Sequence, residues 1–69
     1  MEIREYKNGK FQVFDDDKVL RPCNLEWEGG YQSHHDFMFF SSFDEAKSAM
    51  IRAKIKHEGK NTVIAVHQF

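Results

Sequence analysis

The sequence predicts a single α+β domain: an antiparallel β-sheet of four to five strands with one α-helix packed across one face. Three observations lead to this prediction. Short segments alternate apolar and polar residues, glycine-containing turns separate them, and one long segment with helical periodicity begins at a serine. The predicted order of elements over residues 1–69 is β-β-(β)-β-β-α-β. A chain of this length forms one domain at most.

Asn8 and Gly9 mark the first predicted turn. Both residues tolerate positive φ, so the pair is typical of a two-residue hairpin turn between two strands within residues 2–15. With the turn centred on this pair, Tyr6 would face Phe11 across the two strands. The flanking residues are both lysines, which leaves the register open to a longer loop.

The middle of the chain is expected to extend the sheet. Three aspartates at 15–17 predict a turn, because Asp is depleted in strands and favours turns. Residues 25–28 alternate apolar and acidic side chains, which is typical of a strand with one buried face. Gly29 and Gly30 permit another tight turn, and residues 36–40 are predicted to form a strand that is apolar on both faces.

The helix is predicted over about residues 43–58. Ser42 and Glu45 form a capping box, in which the serine hydroxyl accepts the Glu45 backbone N–H and the Glu45 carboxylate accepts the Ser42 N–H. Gly59 is the predicted C-terminal cap, and residues 62–67 are expected to return as a last strand. At about 100° per residue, the face expected to pack on the sheet is formed by Phe43, Ala46, Ala49, Met50, Ala53 and His57.

Charge is divided unevenly along the chain. Residues 1–45 carry ten acidic and five basic residues, a net of −5, whereas residues 46–69 carry one acidic and five basic residues, a net of +4. Such asymmetry indicates interaction surfaces rather than catalysis. The acidic residues predicted to bind a protein partner, by imitating the charge of a nucleic acid, are Asp15, Asp16, Asp17, Glu26 and Glu28.

Ile51 and Ile55 are predicted to lie off the core face of the helix, about 120–150° from its centre. Because they are four residues apart, they stack into one apolar patch with a polar rim. The patch predicts self-association, with a homodimer as the expected state. In the alternative interpretation the helix tilts, and a sheet edge or residues 19–25 cover the two isoleucines.

The sequence therefore predicts a small non-catalytic protein-binding module that acts as an inhibitor, adaptor or regulatory protein and self-associates. We expect neither an enzyme nor a cofactor, since catalytic and phosphate-binding motifs are absent from the sequence. A cytoplasmic location is expected because Cys23 is the single cysteine and the N-terminus has no apolar signal region. We also expect no association with a membrane, because the longest apolar run is short.

Two alternative functions remain open at this stage. One is a nucleic-acid-binding module that uses exposed aromatic residues and the bases Lys47, Arg52, Lys54, Lys56 and Lys60. The other is a His-based metal-binding protein, because His34, His35 and Asp36 are adjacent. Neighbours on a strand point to opposite faces, so no metal-ligand set is predicted there.

Residues 40–50 resemble the strand-to-helix entry of several small modules built from a β-sheet and a helix, among them integrase arm-binding domains and uncharacterised short domains. The likeness consists of a helix cap and an alanine-rich face. The chain departs from those DNA-binding domains in lacking their basic sheet, so no family membership is inferred from it.

Overall fold

The structure is a computed structural model that describes residues 1–58 and 65–68. It contains an antiparallel sheet of four strands and one helix, so the predicted α+β class is confirmed. The strands are β1 (Glu2–Glu5), β2 (Phe11–Asp15), β3 (Lys18–Leu20) and β4 (Trp27–Gly29), and the helix is α1 (Phe43–Glu58). Neighbouring strands follow the chain order β1-β2-β3-β4.

The first hairpin is offset by one residue from the predicted register. Glu5 pairs with Phe11, so the expected pairing of Tyr6 with Phe11 is wrong. The loop is longer than two residues: the Gly9 N–H donates to the Tyr6 carbonyl at 3.0 Å, and Gly9 has φ 81°. A glycine in this left-handed conformation after a turn adds a residue to the loop and shifts the pairing.

The aspartate run forms the predicted turn between β2 and β3. Asp15 pairs with Lys18, and Asp16 has φ 54°, a conformation that aspartate tolerates better than most residues. Beyond β4, the Gly30 N–H donates to the Asp17 carbonyl at 2.7 Å. A Cβ at Gly30 would lie 2.7 Å from that same oxygen, so this close approach requires glycine.

The predicted strand at residues 36–40 is wrong. Asp36–Met38 is a 3₁₀ turn, and only Phe40 joins the sheet, through an isolated bridge to Phe11. Met38 is buried because the segment lies across a sheet face instead of pairing along an edge. An apolar run of this length is compatible with either arrangement, and periodicity does not distinguish them.

The strand predicted at residues 25–28 is shifted and begins at Trp27. Leu25 has φ 56°, which is uncommon outside glycine and asparagine and ends any extended conformation there. Half of the strand predicted at residues 62–67 lies outside the described residues, and residues 65–68 have no regular secondary structure. The predicted cap Gly59 is also outside the described residues.

The sheet is covered on both faces, by different parts of the chain. On one face, which we call the helix face, the buried cluster consists of Val13, Leu20, Phe40, Ala46, Ala49 and Ala53. On the other, which we call the loop face, the cluster consists of Phe14, Val19 and Met38. Successive residues of β2 and β3 point to opposite faces of the sheet, so each of these strands contributes side chains to both clusters.

The helix cap forms largely as predicted. The Ser42 Oγ accepts the Glu45 backbone N–H at 3.2 Å. The Glu45 carboxylate, however, accepts the N–H of Ser41 at 3.2 Å and not that of Ser42, which corrects the predicted capping box. Each of these hydrogen bonds provides an acceptor for a backbone N–H group at the start of the helix, where no preceding helical turn supplies a carbonyl.

Candidate protein-binding surface

The outer face of α1 carries the two isoleucines singled out in the sequence. Ile51 is 48% exposed and Ile55 is 68% exposed, so neither is covered by a sheet edge or by residues 19–25. The inner face of the same helix buries Ala46, Ala49 and Ala53. The predicted position of the isoleucines off the core face is therefore confirmed, whereas their role in binding stays a prediction.

Phe43 extends the apolar surface toward the start of the helix. It was expected in the core, but it is 50% exposed, and its ring only meets that of Phe11 edge to face, with centroids 6.1 Å apart. At intervals of four residues, Phe43, Lys47, Ile51 and Ile55 follow one ridge along the helix. The ridge presents three large apolar side chains to solvent, separated by one lysine.

A hollow of about 500 Å³ lies beside Ile51, between the helix and the end of β2. Its lining residues are Met1, Asp15, Met50, Ile51, Lys54 and Glu58. The Met1 amino group lies 3.9 Å from the Asp15 carboxylate. Two carboxylates, the Lys54 side chain and the Met1 amino group therefore lie beside the exposed isoleucine.

Hydrogen bonds and ion pairs join the C-terminal end of α1 to the loop before β4. The Lys56 Nζ donates to the Glu26 Oε1 at 2.6 Å and to the Asn24 carbonyl at 2.8 Å. The His57 Nε2 donates to the Leu25 carbonyl at 2.8 Å and lies 3.6 Å from the Glu26 Oε2. The acidic and basic parts of the chain meet here, so part of the charge asymmetry is neutralised within the molecule.

The five acidic residues predicted to bind a partner do not form one continuous surface. Glu26 belongs to the contact with the helix end, and Glu28 pairs with the Arg21 Nη1 at 3.3 Å. Of the remaining three, Asp15 ends β2, and Asp16 and Asp17 form the turn before β3. Hydrogen bonds with the Cys23 side chain and, less strongly, with Glu28 raise the pKa of Arg21 above its ordinary value.

The basic residues of the helix also point in different directions. Lys56 is held by Glu26, whereas Lys47, Arg52 and Lys54 are exposed. At about 100° per residue, Arg52 lies about 140–160° around the helix from the other two exposed bases. Lys60 is outside the described residues. The nucleic-acid-binding interpretation stays a prediction, without a continuous basic stripe along the described part of the helix.

The adjacent histidines lie in a loop and not on a strand, so the rule that neighbours on a strand point to opposite faces does not apply to them. Their rings are 4.2 Å apart between centroids, and His35 stacks on Phe37 at 5.2 Å. The His34 Nδ1 is 2.7 Å from the Tyr31 carbonyl. In residues 1–58 and 65–68, no three His, Cys, Asp or Glu side chains are grouped closely enough to hold a metal ion.

No protein family, curated protein or solved structure matches this chain. Over the described ranges, none of the helices has both the length and the apolar character needed to cross a bilayer.

Sequence reasoning missed two parts of this surface. Phe43 was assigned to the core from its angular position alone, although it is the first residue of α1 and is 50% exposed. Asp15 and Glu58, which are far apart in the sequence, line the same hollow beside Ile51. Local periodicity carries no information about such a contact between distant segments.

Proposed function

We propose that this protein is a small non-catalytic protein-binding module that self-associates through the outer face of α1 and acts as an inhibitor, adaptor or regulatory protein. One observation carries the proposal: Ile51 and Ile55 stand exposed together on the side of the helix opposite its buried alanines. Adjacent large apolar side chains on a rim of polar residues are typical of contact sites between proteins.

The size of the patch sets the expected affinity. Full burial of an isoleucine contributes about 1.5–3 kcal/mol, and roughly half of that remains to be gained by side chains that are already partly covered. Two isoleucines from each of two subunits would therefore contribute about 3–6 kcal/mol, while association costs about 4–15 kcal/mol. The isoleucines alone thus support a weak complex at best, and a stable one needs the residues that flank them.

Sedimentation equilibrium of the unmutated protein and of the double variant Ile51→Glu/Ile55→Glu tests the proposal. We expect the unmutated protein to self-associate and the double variant to be a monomer, because two carboxylates from each subunit would have to be desolvated in the contact. The helix content of the variant, measured by circular dichroism, should be unchanged, since both positions are exposed.

Val66→Glu is the matched control. Val66 is also an exposed apolar residue, and it lies outside the helix. This variant should self-associate like the unmutated protein. Equal association by the protein and the double variant would show that the outer face of α1 is not the contact site.

A further inference from the structure

The outer edge of β1 is open. Among the described residues β1 pairs with β2 alone, so it lies at one end of the sheet. The Tyr6 N–H donates to the Lys10 carbonyl at 2.9 Å, toward β2. Because successive residues of an antiparallel strand face the partner and the opposite side in turn, the backbone N–H and C=O groups of Ile3 and Glu5 face the open edge. Such an edge is a template for a further strand.

An apolar groove accompanies this edge on the helix face. Ile3 and Met50 are only partly buried against the helix-face cluster, and Phe43 and Ile51 are about half exposed. At about 100° per residue, the three helix residues of this set lie on one flank of α1. Met1, which precedes β1, lines the same hollow as Met50 and Ile51, so this flank of the helix faces β1.

We propose that residues 62–67 of the same chain occupy this groove as a fifth strand, parallel to β1. In the structure residues 65–68 are exposed and have no regular secondary structure, and Val66 is 74% exposed. The groove and the segment therefore both have apolar surface to cover. The contact is separate from the proposed self-association, which uses the outer face of α1.

The sequence of the segment suits an edge strand over an apolar groove. Four of its six residues are β-branched, which favours extended backbone. Its alternate side chains form two apolar pairs, Val63 with Ala65 and Ile64 with Val66. Whichever pair faces the helix can cover the exposed side of Ile3.

The end of α1 brings the chain to the start of β1. The first residue of α1 meets the ring of Phe11, which pairs with Glu5 at the end of β1. The last residue, Glu58, lines the hollow together with Met1. The helix thus runs antiparallel to β1, and a strand that returns along the open edge runs parallel to β1. Residues 59–61 connect the two, a usual length for a helix-to-strand loop.

The handedness of this path also fits. Phe40 bridges Phe11 antiparallel, on the side of β2 away from β1, so it runs in the same direction as β1. Viewed from the helix face with β1 pointing up, the Ile3 side chain points to the viewer. In a strand of L-residues its N–H and C=O, and hence the open edge, then lie on the right. The path from Phe40 through α1 to this edge is a right-handed crossover, the hand of about 98% of such connections.

Hydrogen exchange of the β1 amides tests the proposal in the full-length protein. The docked segment accepts the N–H groups of Ile3 and Glu5, so both should exchange as slowly as that of Arg4, which faces β2. In Ile64→Pro/Ala65→Pro two adjacent N–H groups are lost, and one of them has to face β1. Ile3 and Glu5 should then exchange at least about tenfold faster, whereas Arg4 should change little.

Gln68→Pro is the matched control. Gln68 is exposed and follows the segment, so this variant should keep the slow exchange of Ile3 and Glu5. Fast exchange of these two amides in the unmutated protein, or slow exchange that survives the two prolines, would overturn the proposal.

Protein concentration identifies the chain that supplies the segment. Slow exchange of the Ile3 and Glu5 amides should be the same over about a hundredfold range of concentration, including concentrations at which sedimentation equilibrium shows a monomer. Slow exchange that appears only as the concentration rises would mean that a second copy supplies the strand, and would overturn the contact within one chain. The test does not depend on the outer face of α1, because a monomer suffices for it.

Discussion

The two faces of the sheet are buried by different physical means. On the helix face the contacts are apolar, and three alanines of α1 let the helix lie close to Val13 and Leu20. The loop face is covered by an irregular segment that contains the 3₁₀ turn Asp36–Met38. This segment buries Met38 against the sheet and is also held by hydrogen bonds between polar groups. The comparison shows why large apolar residues remain on the outer face of α1: the helix completes one core mainly with alanines, and Phe43, Ile51 and Ile55 stay exposed.

The polar contact on the loop face centres on Gln12, which is 1% exposed. Its Oε1 accepts the Tyr6 hydroxyl at 2.5 Å, and its Nε2 donates to the Ser33 carbonyl at 2.6 Å. Buried amide groups are costly unless they are hydrogen-bonded, and both ends of this one are satisfied. The network thus links the first hairpin to the segment that covers the loop face.

The largest effect is expected on the helix face. Leu20→Ala removes a fully buried side chain and leaves a cavity, which should lower the free energy of unfolding by about 2–5 kcal/mol. A domain of this size has only about 3–10 kcal/mol in total, so the variant should be close to unfolding. Urea denaturation followed by circular dichroism measures the loss.

Leu25→Ala is the control for this variant. Leu25 contacts the same cluster but is only partly buried, so its truncation should cost clearly less than that of Leu20. Equal losses for the two leucines would mean that burial in the helix-face cluster does not determine stability.

A smaller effect is expected from the polar network of the loop face. Gln12→Ala leaves the Tyr6 hydroxyl and the Ser33 carbonyl without this partner and should cost about 1–3 kcal/mol in the free energy of unfolding. Tyr6→Phe removes one hydrogen bond and keeps the edge-to-face contact with Phe39, so about 1 kcal/mol is expected.

Hydrogen exchange of the backbone amides separates the two faces. In Gln12→Ala, exchange should become faster for Met38 and Phe39, whose N–H groups donate within the covering segment, than for the helix amides. If Tyr6→Phe costs as much as Gln12→Ala, the bond from Gln12 to the Ser33 carbonyl contributes nothing to the free energy of unfolding.

The same comparison explains what the sequence could predict. The helix, its serine cap and the exposed isoleucines follow from local periodicity and capping chemistry, and all three were predicted. The segment that covers the loop face was predicted as a strand. Its apolar run, which contains Met38, is compatible both with a strand and with a loop packed on a sheet. Gln12 gave no signal, since its burial depends on Tyr6 and Ser33, which are brought together only by the fold.

The helix cap provides the third prediction. Ser42→Ala removes the acceptor for the Glu45 N–H and should lower the free energy of unfolding by about 1 kcal/mol. Ser41→Ala is the matched control, because Ser41 contributes its backbone N–H to this cap. The urea midpoint of Ser42→Ala should fall with an unchanged slope, and that of Ser41→Ala should not move. A similar fall in both would place the effect elsewhere than in the cap.

The smallest effect concerns the edge of the loop face. The Arg4 guanidinium lies 3.8 Å from the centre of the Phe14 ring and 3.1 Å from the Glu2 Oε1, so it covers an aromatic residue of this face while bound to a carboxylate. The hydrogen bond with Arg4 holds the pKa of Glu2 below its ordinary value of 4.5.

The sign of the pH effect follows from this direction. A carboxylate with a lowered pKa in the folded state contributes stability above its unfolded pKa, and this contribution is lost as the pH falls through the folded value. The gain is small because both side chains are exposed. An NMR titration of the Glu2 carboxyl group should show its pKa rise to the ordinary value in Arg4→Gln, whereas Lys7→Gln, which removes a charge farther from Glu2, should leave it low. A Glu2 titration that is identical in Arg4→Gln and the unmutated protein would show that Arg4 is not held by this carboxylate, and the edge of the loop face would then depend on the contact between Arg4 and Phe14 alone.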